Sequence, residues 1–552
     1  MGNSELKFTD PTRRASRESD PSDAIAVPSC SLLDGLSPRR LVVGVVAISV
    51  IWRLVVYGLA FPIWGDEAFL AINFITRDFG GMIAPLDYGQ IAPLGYCWAQ
   101  LLAARFFGLS EWSLRLVALL CGTGALLLFP LFAFRVVPRR AAMLATAIFA
   151  ASYYLCRHSA EVKPYATDLL VSLMLTMTAH ALLARPDSLI RWCGLVALGA
   201  ISVWCSYPAA FVAGGIGLAL TGRMLSRERR VHFVTGWLIY GLVLCTSFVG
   251  MYLVYSKPHA DAASPLQELE SWSKTFPDVA RFWTLPLWFY HTHTGPMFAY
   301  PQGGSPPGSV ATFALFVLGC LSTWRAGRRE LLLLLLAPFL MTFVAAAMKA
   351  YPYGGSARVA LHLAPAICLL AGAGLSAVLD RFWKGAARRR ATVVATLFFA
   401  IFPLGGIIEA VARPYKSEFV RTCNTAVRAL ADRASPDDRW VLYNARDRVA
   451  WAPYLGDWRG VGGQFVFDAL RFAPVSVLWS PDPSTIPTAP SGRVWLLAYK
   501  SVRRKVNFNE QQLEDYAKAM SVSLGQPTRE SIIVREEPDK REFIEIFVFG
   551  AR

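Results

Sequence analysis

The feature that most constrains this chain is a series of about a dozen long apolar runs separated by short polar loops. They fall near 41–61, 94–109, 112–135, 141–157, 167–184, 190–206, 208–222, 232–255, 309–324, 331–348, 359–379 and 391–412. A helix that crosses the hydrocarbon core needs about 20 predominantly apolar residues, and many of these runs approach that length. Charged residues make up 17% of the chain, against about 25% in soluble domains. The fold class expected is mainly α: a polytopic transmembrane bundle of about 11–13 helices, each able to satisfy its own backbone within lipid. A small soluble α/β domain should follow it.

The net charge of +16 does not indicate a nucleic-acid partner, because its arginines collect in short loops between the apolar runs. Arg39–Arg40, Arg135 with Arg139–Arg140, Arg185 with Arg191, Arg223 to Arg230, Arg325 to Arg329 and Arg381 to Arg390 follow the positive-inside pattern and should be cytoplasmic. Segments 62–93, 158–166, 257–307 and 349–358, and the C-terminal domain, then lie on the opposite face. One conflict stands in this scheme. Two full crossings at 94–109 and 112–135 would return the chain to the wrong side, so one of them lies partly in the interface or a further crossing exists.

Three regions are expected. Residues 1–37 are polar and rich in Ser, Asp, Arg and Pro, and read as a disordered cytoplasmic terminus rather than a cleaved leader. Residues 38–412 form the membrane domain. Residues 413–552 form the α/β domain, with strands at 440–443, 494–499 and 543–549 and a helix at 510–521. Most of the ten cysteines sit inside apolar runs, and there is no CxxC. They read as small buried apolar residues rather than a disulfide framework or zinc site.

Four polar clusters punctuate the loops of the far side. Asp66 and Glu67 follow the first run, either as helix-start residues with Asp66 as the N-cap or as carboxylates facing a cavity. Tyr88, Gln90, Pro93 and Tyr96 lead into the next run, as an aromatic belt or a site wall. Arg157, His158, Glu161, Lys163, Tyr165 and Asp168 crowd the loop between two crossings. Their density suggests a polar site, although Glu161 paired with Lys163 or Arg157 is the plainer reading. Finally, Tyr351, Tyr353, Gly354–Gly355 and Arg358 precede His362. Arginine and free backbone N–H groups suit a phosphate, while an arginine snorkelling beside aromatic residues is the alternative. The His291-x-His293 pair lacks an obvious third ligand for a metal.

In this order, Trp64-Gly65-Asp66-Glu67-Ala68, Gln90-Ile91-Ala92-Pro93, Glu161-Val162-Lys163-Pro164-Tyr165-Ala166-Thr167-Asp168 and Tyr351-Pro352-Tyr353-Gly354-Gly355-Ser356-Ala357-Arg358 resemble the GT-C membrane glycosyltransferases. The branch is that of the protein O-mannosyltransferases and aminoarabinose–lipid A transferases, glycosyltransferase family 39-like, and the resemblance covers about residues 40–412. It implies a GT-C fold and a hexosyl or pentosyl transferase of the cell envelope, with a bacterial inner membrane as the expected location. It also implies a polyprenyl-phosphate sugar donor, a lipid, glycan or protein acceptor, and catalysis on the extracytoplasmic face. Asp66 is the catalytic candidate, with Glu67 beside it. Tyr88, Gln90, Glu161, Lys163, Tyr165, Asp168, Tyr353, Arg358 and His362 are candidates for substrate binding. A divalent cation is left open, with no metal ligands assigned. Where aminoarabinose transferases carry Glu-Lys before Pro-Pro, this chain has Gln90-Ile91-Ala92-Pro93, which weakens the case for a lipid A acceptor. A transporter or lipid flippase is the main rival, although no internal repeat of the kind such proteins show is visible. A membrane scaffold is the third reading, and it requires that the clusters not converge.

Overall fold

In the computed structural model, described residues are 37–226, 230–262, 272–302, 306–413, 418–443, 462–473, 476–479, 492–503, 510–537 and 540–550, with positions 483 and 486. The expected disordered terminus lies outside the described residues except at residue 37. The membrane region is a bundle of α1 (Pro38–Gly58), α2 (Gly65–Thr76), α3 (Leu94–Phe107), α4 (Glu111–Val136), α5 (Arg139–Ala150) and α6 (Tyr153–Arg157). It continues with α7 (Tyr165–Ala184), α8 (Leu189–Cys205), α9 (Ala209–Ser226), α10 (Val231–Met251) and α11 (Lys257–Ala262). After α12 (Leu285–His293) come α13 (Pro306–Arg325), α14 (Arg329–Ala347), α15 (Ala364–Phe382) and α16 (Gly385–Ala412).

Among the described residues, 8 helical stretches are long and apolar enough to cross a membrane: 38–58, 111–136, 165–184, 231–262, 308–325, 329–347, 358–382 and 385–412. The other four runs also form helices, but shorter ones, α3, α5, α8 and α9. Helix α3 has 14 residues, a rise of about 21 Å, which is short of the ~30 Å core. It ends at Gly108, whose φ of +75° turns the chain directly into α4. Of the two helices in conflict between residues 94 and 135, α4 is long and apolar enough to cross and α3 is not.

The basic loops meet at one end of the bundle. Arg140 and Arg388 both reach Asp380, at 3.3 and 3.0 Å, and Arg223 pairs with Glu330 at 2.9 Å. Arg328 donates to the Val136 carbonyl at 2.5 Å. Helices α13 and α15 pack so closely that a methyl group on Gly319 would overlap the Leu370 carbonyl, and one on Gly374 the Leu315 carbonyl. Small residues permit such backbone approach where lipid supplies no hydrophobic drive between helices.

Helix α17 (Glu418–Arg433), β1 (Arg439–Leu442), α18 (Gly462–Phe472), β2 (Ser476–Trp479), β3 (Val494–Arg503), α19 (Glu510–Leu524), β4 (Thr528–Glu537) and β5 (Lys540–Phe549) complete the chain. The five strands form one sheet in the order β2-β1-β3-β5-β4. β1 pairs in parallel with β2 and β3, whereas β5 is antiparallel to β3 and β4. Side chains alternate across it. Val441, Leu496, Ala498 and Phe547 pack with Leu513, Ala517 and Met520 of α19. On the other face, Trp440, Leu442, Trp495 and Leu497 share a core with α18 and with Ala68, Leu70, Leu94 and Leu101 of α2 and α3. The sheet domain thus sits on the helices that carry the first acidic cluster.

Candidate functional site

Helix α2 opens with Asp66 and Glu67 in its first turn, where carboxylates favour the helix dipole. Asp66 is not the N-cap: that position is Trp64, which makes no side-chain capping bond. The Asp66 carboxylate instead points to two cations. Lys163 Nζ lies 3.1 Å from Oδ1, and Arg358 Nη1 lies 3.1 Å from Oδ2. Lys163 Nζ also donates to Gln90 Oε1 at 2.9 Å. The other three sequence clusters therefore all touch Asp66, directly or through Lys163. At that point of the first loop where Gln90 stands without a neighbouring cation in sequence, Lys163 brings one in space.

Each partner is held by local structure. Arg77, just beyond α2, donates to the carbonyls of Gly81, Ala84 and Pro85 and pairs with Asp87 at 3.1 Å. Asn73 Oδ1 accepts from the Asp87 amide at 2.8 Å. These bonds fold 77–90 into a compact loop that delivers Gln90. Arg358 follows Gly354 and Gly355, whose φ values of +70° and +71° favour glycine. A Cβ on either would also collide with Thr292 or Thr275, so both glycines serve the path of the chain. The Arg358 guanidinium lies over the rings of Trp272 and Tyr165, at 5.5 and 6.0 Å, within cation–π range.

Glu67 faces away from Asp66 into the protein. Its Oε2 accepts from Arg115 Nη2 at 2.8 Å, Arg115 Nε at 3.1 Å and the Val162 amide at 3.3 Å. Arg115 also donates to the Phe61 carbonyl. Both side chains of this ion pair are almost fully buried. Glu161 pairs with Arg157 at 2.9 Å and with His158 Nδ1 at 2.6 Å. Of its two proposed partners it therefore takes Arg157, and Lys163 is left to Asp66.

The electrostatics follow from this geometry. Burial pushes the Asp66 carboxyl up, but Lys163 and Arg358 outweigh it and hold the pKa below the usual value. Asp66 is thus ionised at neutral pH. Arg358 keeps 34% of its side chain exposed and Asp66 21%, so the cluster can be reached from outside the protein. Arg157 is held more firmly protonated than an ordinary arginine: burial works against it, and the Glu161 charge more than offsets that.

The other candidates lie further out. Tyr88 packs on Phe69, with ring centroids 5.2 Å apart, and its carbonyl accepts from Gln90 at 3.4 Å. Asp168 is buried on α7 one turn beyond Tyr165. Tyr353 belongs to an aromatic group with Trp288, Phe289 and Phe343, and its hydroxyl meets His293 Nε2 at 3.1 Å. His362 is buried against Thr342 at 3.0 Å and near Tyr351. Neither Tyr353 nor His362 contacts Asp66, Lys163 or Arg358 in these bonds. Among the described residues, no three His, Cys, Asp or Glu side chains gather as a metal site. Both Asp66 oxygens already face cations, a donor set that does not suit a divalent ion.

Two features lay outside the sequence candidates. Arg115 was visible as an ionisable residue within an apolar run, which is costly unless paired. The second is Arg471 of α18, which grips Glu111 at the start of α4 through bonds of 2.5 and 2.9 Å. No local motif announces that contact, since its partners are 360 positions apart.

No protein-family model and no functionally curated protein matches the chain. Solved structures do. ArnT from Cupriavidus metallidurans, bound to undecaprenyl phosphate, matches with a TM-score of 0.54 at 13% identity, covering 92% of this chain and 98% of that one. The same protein in its apo state gives 0.52 over the same shares. The apo oligosaccharyltransferase of Archaeoglobus fulgidus gives 0.50 at 14% identity, covering 89% of this chain and 69% of that one. The chain has the fold of the GT-C membrane glycosyltransferases.

Proposed function

We propose that this protein transfers a hexosyl or pentosyl group from a polyprenyl-phosphate donor to an acceptor at the membrane surface. The observation that carries this reading is the Asp66 carboxylate set between Lys163 and Arg358 at 3.1 Å each. Two cations beside one carboxylate provide both functions the reaction needs. The cations bind the donor phosphate and stabilise the charge it gains on leaving. The carboxylate accepts the proton of the attacking hydroxyl. The fold shared with a protein solved with undecaprenyl phosphate supports the donor class.

In the step itself, the acceptor oxygen bonds to the anomeric carbon as the bond from that carbon to the phosphate oxygen breaks. The acceptor proton passes to Asp66, and polyprenyl phosphate departs with the electron pair. A single displacement of this kind inverts the anomeric centre. An Asp66 held below its usual pKa is a weak base. A phosphate that engages Lys163 and Arg358 draws them from Asp66 and raises its basicity when the donor is present. Gln90 retains Lys163 during that exchange, and Glu67 is occupied with Arg115, which makes it a positioning group for α2.

The positive-inside pattern supports the extracytoplasmic face as the site of reaction, since the Asp66 cluster lies at the end of α1 away from Arg39. The C-terminal domain shares a core with α2, which carries Asp66, and acceptor recognition is the role we assign to it. The sugar and the acceptor class, lipid, glycan or protein, are for experiment to identify.

The test follows loss of polyprenyl-phosphate sugars with purified protein and membrane extract as acceptor, for wild type, Asp66→Asn and Arg358→Ala. Consumption that depends on both residues supports transfer. Folded protein that consumes no donor in a broad panel overturns it, whereas an Asp66→Asn variant of full activity removes Asp66 from the mechanism. In the first case a lipid-translocation assay would test the transporter reading.

A further inference from the structure

A groove of about 840 Å³ runs between α1 and α4 at the opposite end of the bundle from Asp66. Its walls are apolar, built mainly by Val43, Val46, Val50, Leu127, Leu131 and Phe134. Arg39 and Arg135 stand at its mouth. From Arg39 to Ile51 the groove follows one face of α1 for twelve residues, about 18 Å at 1.5 Å per residue. That is close to half of the ~30 Å hydrocarbon core, the depth of a single leaflet.

Among the described residues, several cations at this end are paired, and the two that line the groove are not. Arg140 and Arg388 share Asp380, Arg223 has Glu330, and Arg230 has Asp187. Among the described residues, neither Arg39 nor Arg135 has a carboxylate partner, and both side chains are exposed. Two uncompensated guanidinium groups at the polar end of an apolar slot match the charge and shape of an anionic phospholipid. Its phosphate is a natural partner for the forked donors of arginine. A zwitterionic headgroup would bring its own cation against them.

We propose that the α1–α4 groove is a binding site for an anionic phospholipid of the leaflet at the basic end, with its phosphate between Arg39 and Arg135 and one acyl chain along the valine face of α1. This site is separate from the proposed transfer reaction and stands whether or not that reading holds. A lipid here bridges the first crossing to α4, which carries Arg115 and Glu111 at its far end. The ordinary alternative is a non-selective annular lipid, and the two differ in headgroup dependence.

The test measures thermal unfolding of the full-length protein in neutral detergent micelles doped with phosphatidylglycerol, phosphatidylcholine or inorganic phosphate. Native mass spectrometry counts retained lipid in parallel. Variants are Arg39→Gln/Arg135→Gln, which removes the charges, and Val43→Trp, which fills the groove from a position already 60% exposed. The expected result is an upward, saturating Tm shift and a 1:1 adduct with phosphatidylglycerol alone, both lost in each variant. Equal shifts with phosphatidylcholine would show an annular lipid and overturn the proposal. An equal shift with inorganic phosphate would reduce it to an anion contact. Full retention of the phosphatidylglycerol effect in either variant would also overturn it.

Discussion

Lys163 Nζ lies 3.1 Å from Asp66 Oδ1 and 2.9 Å from Gln90 Oε1, so one ammonium group joins the loop after α1 to the loop before α7. Asp66→Asn keeps the size and acceptor oxygen of the side chain but loses its charge and basicity. Donor consumption should fall by about 10²–10⁴, the usual worth of a positioned base, with Tm little changed. Full activity of the folded variant would remove Asp66 from the mechanism.

The Glu67–Arg115 pair should govern stability more than chemistry. Glu67→Gln leaves Arg115 buried without a counter-charge, which costs about 3–5 kcal/mol. The pair Glu67→Gln/Arg115→Met should recover part of that loss, because the stranded charge is gone. Thermal unfolding of the two single variants and the double variant measures the coupling. Additive losses would show that the two side chains act independently.

Arg471 and Glu111 tie the sheet domain to the start of α4. Arg471→Ala should remove about 2 kcal/mol of charge-assisted hydrogen bonding and loosen the domain from α2 and α3. Limited proteolysis should then release the C-terminal domain faster than in wild type. An unchanged rate would show that the shared apolar core holds the domain without this pair.

Asp468, one turn before Arg471 on α18, supplies a pH dependence. Burial raises its pKa to about 7, against partial relief from neighbouring side chains, while the unfolded carboxyl titrates near 3.8. Between these values the folded state holds a proton that the unfolded state lacks. Stability should therefore fall as pH rises from about 4 to about 7 and level off above. Asp468→Asn, which keeps an oxygen for the bond from Gln464 at 3.1 Å, should flatten that slope. Tm profiles across this range for both proteins decide it, and identical profiles would exclude Asp468 as the source.

Much of the architecture follows from local pattern. Apolar runs longer than about 18 residues can only be helices in lipid, and the short, nearly continuous apolar and aromatic runs at 494–499 and 543–549 mark strands covered on both faces. The arginine clusters predicted which loops share an end, and Arg140 with Arg388 on Asp380 bears this grouping out. Helix length at α3 was less legible, because its apolar composition matches a crossing while Gly108 ends it early.

What the sequence determined by itself was the class of fold, the domain that follows the bundle and the residue types available to a site, since hydrophobic periodicity and charge distribution act locally. Only the tertiary structure decided which of those residues meet. Lys163 had Glu161 two positions away, yet its ammonium turns to Asp66, and Glu161 takes Arg157 and His158. Tyr353 and His362 share a motif with Arg358 but pack among aromatic side chains and Thr342. Glu67 and Asp66 are neighbours on a helix that points one into the protein, to Arg115, and the other to the cations of two distant loops. Pairing depends on which buried charges find a partner at hydrogen-bond distance, and helix packing sets that distance where sequence separation does not.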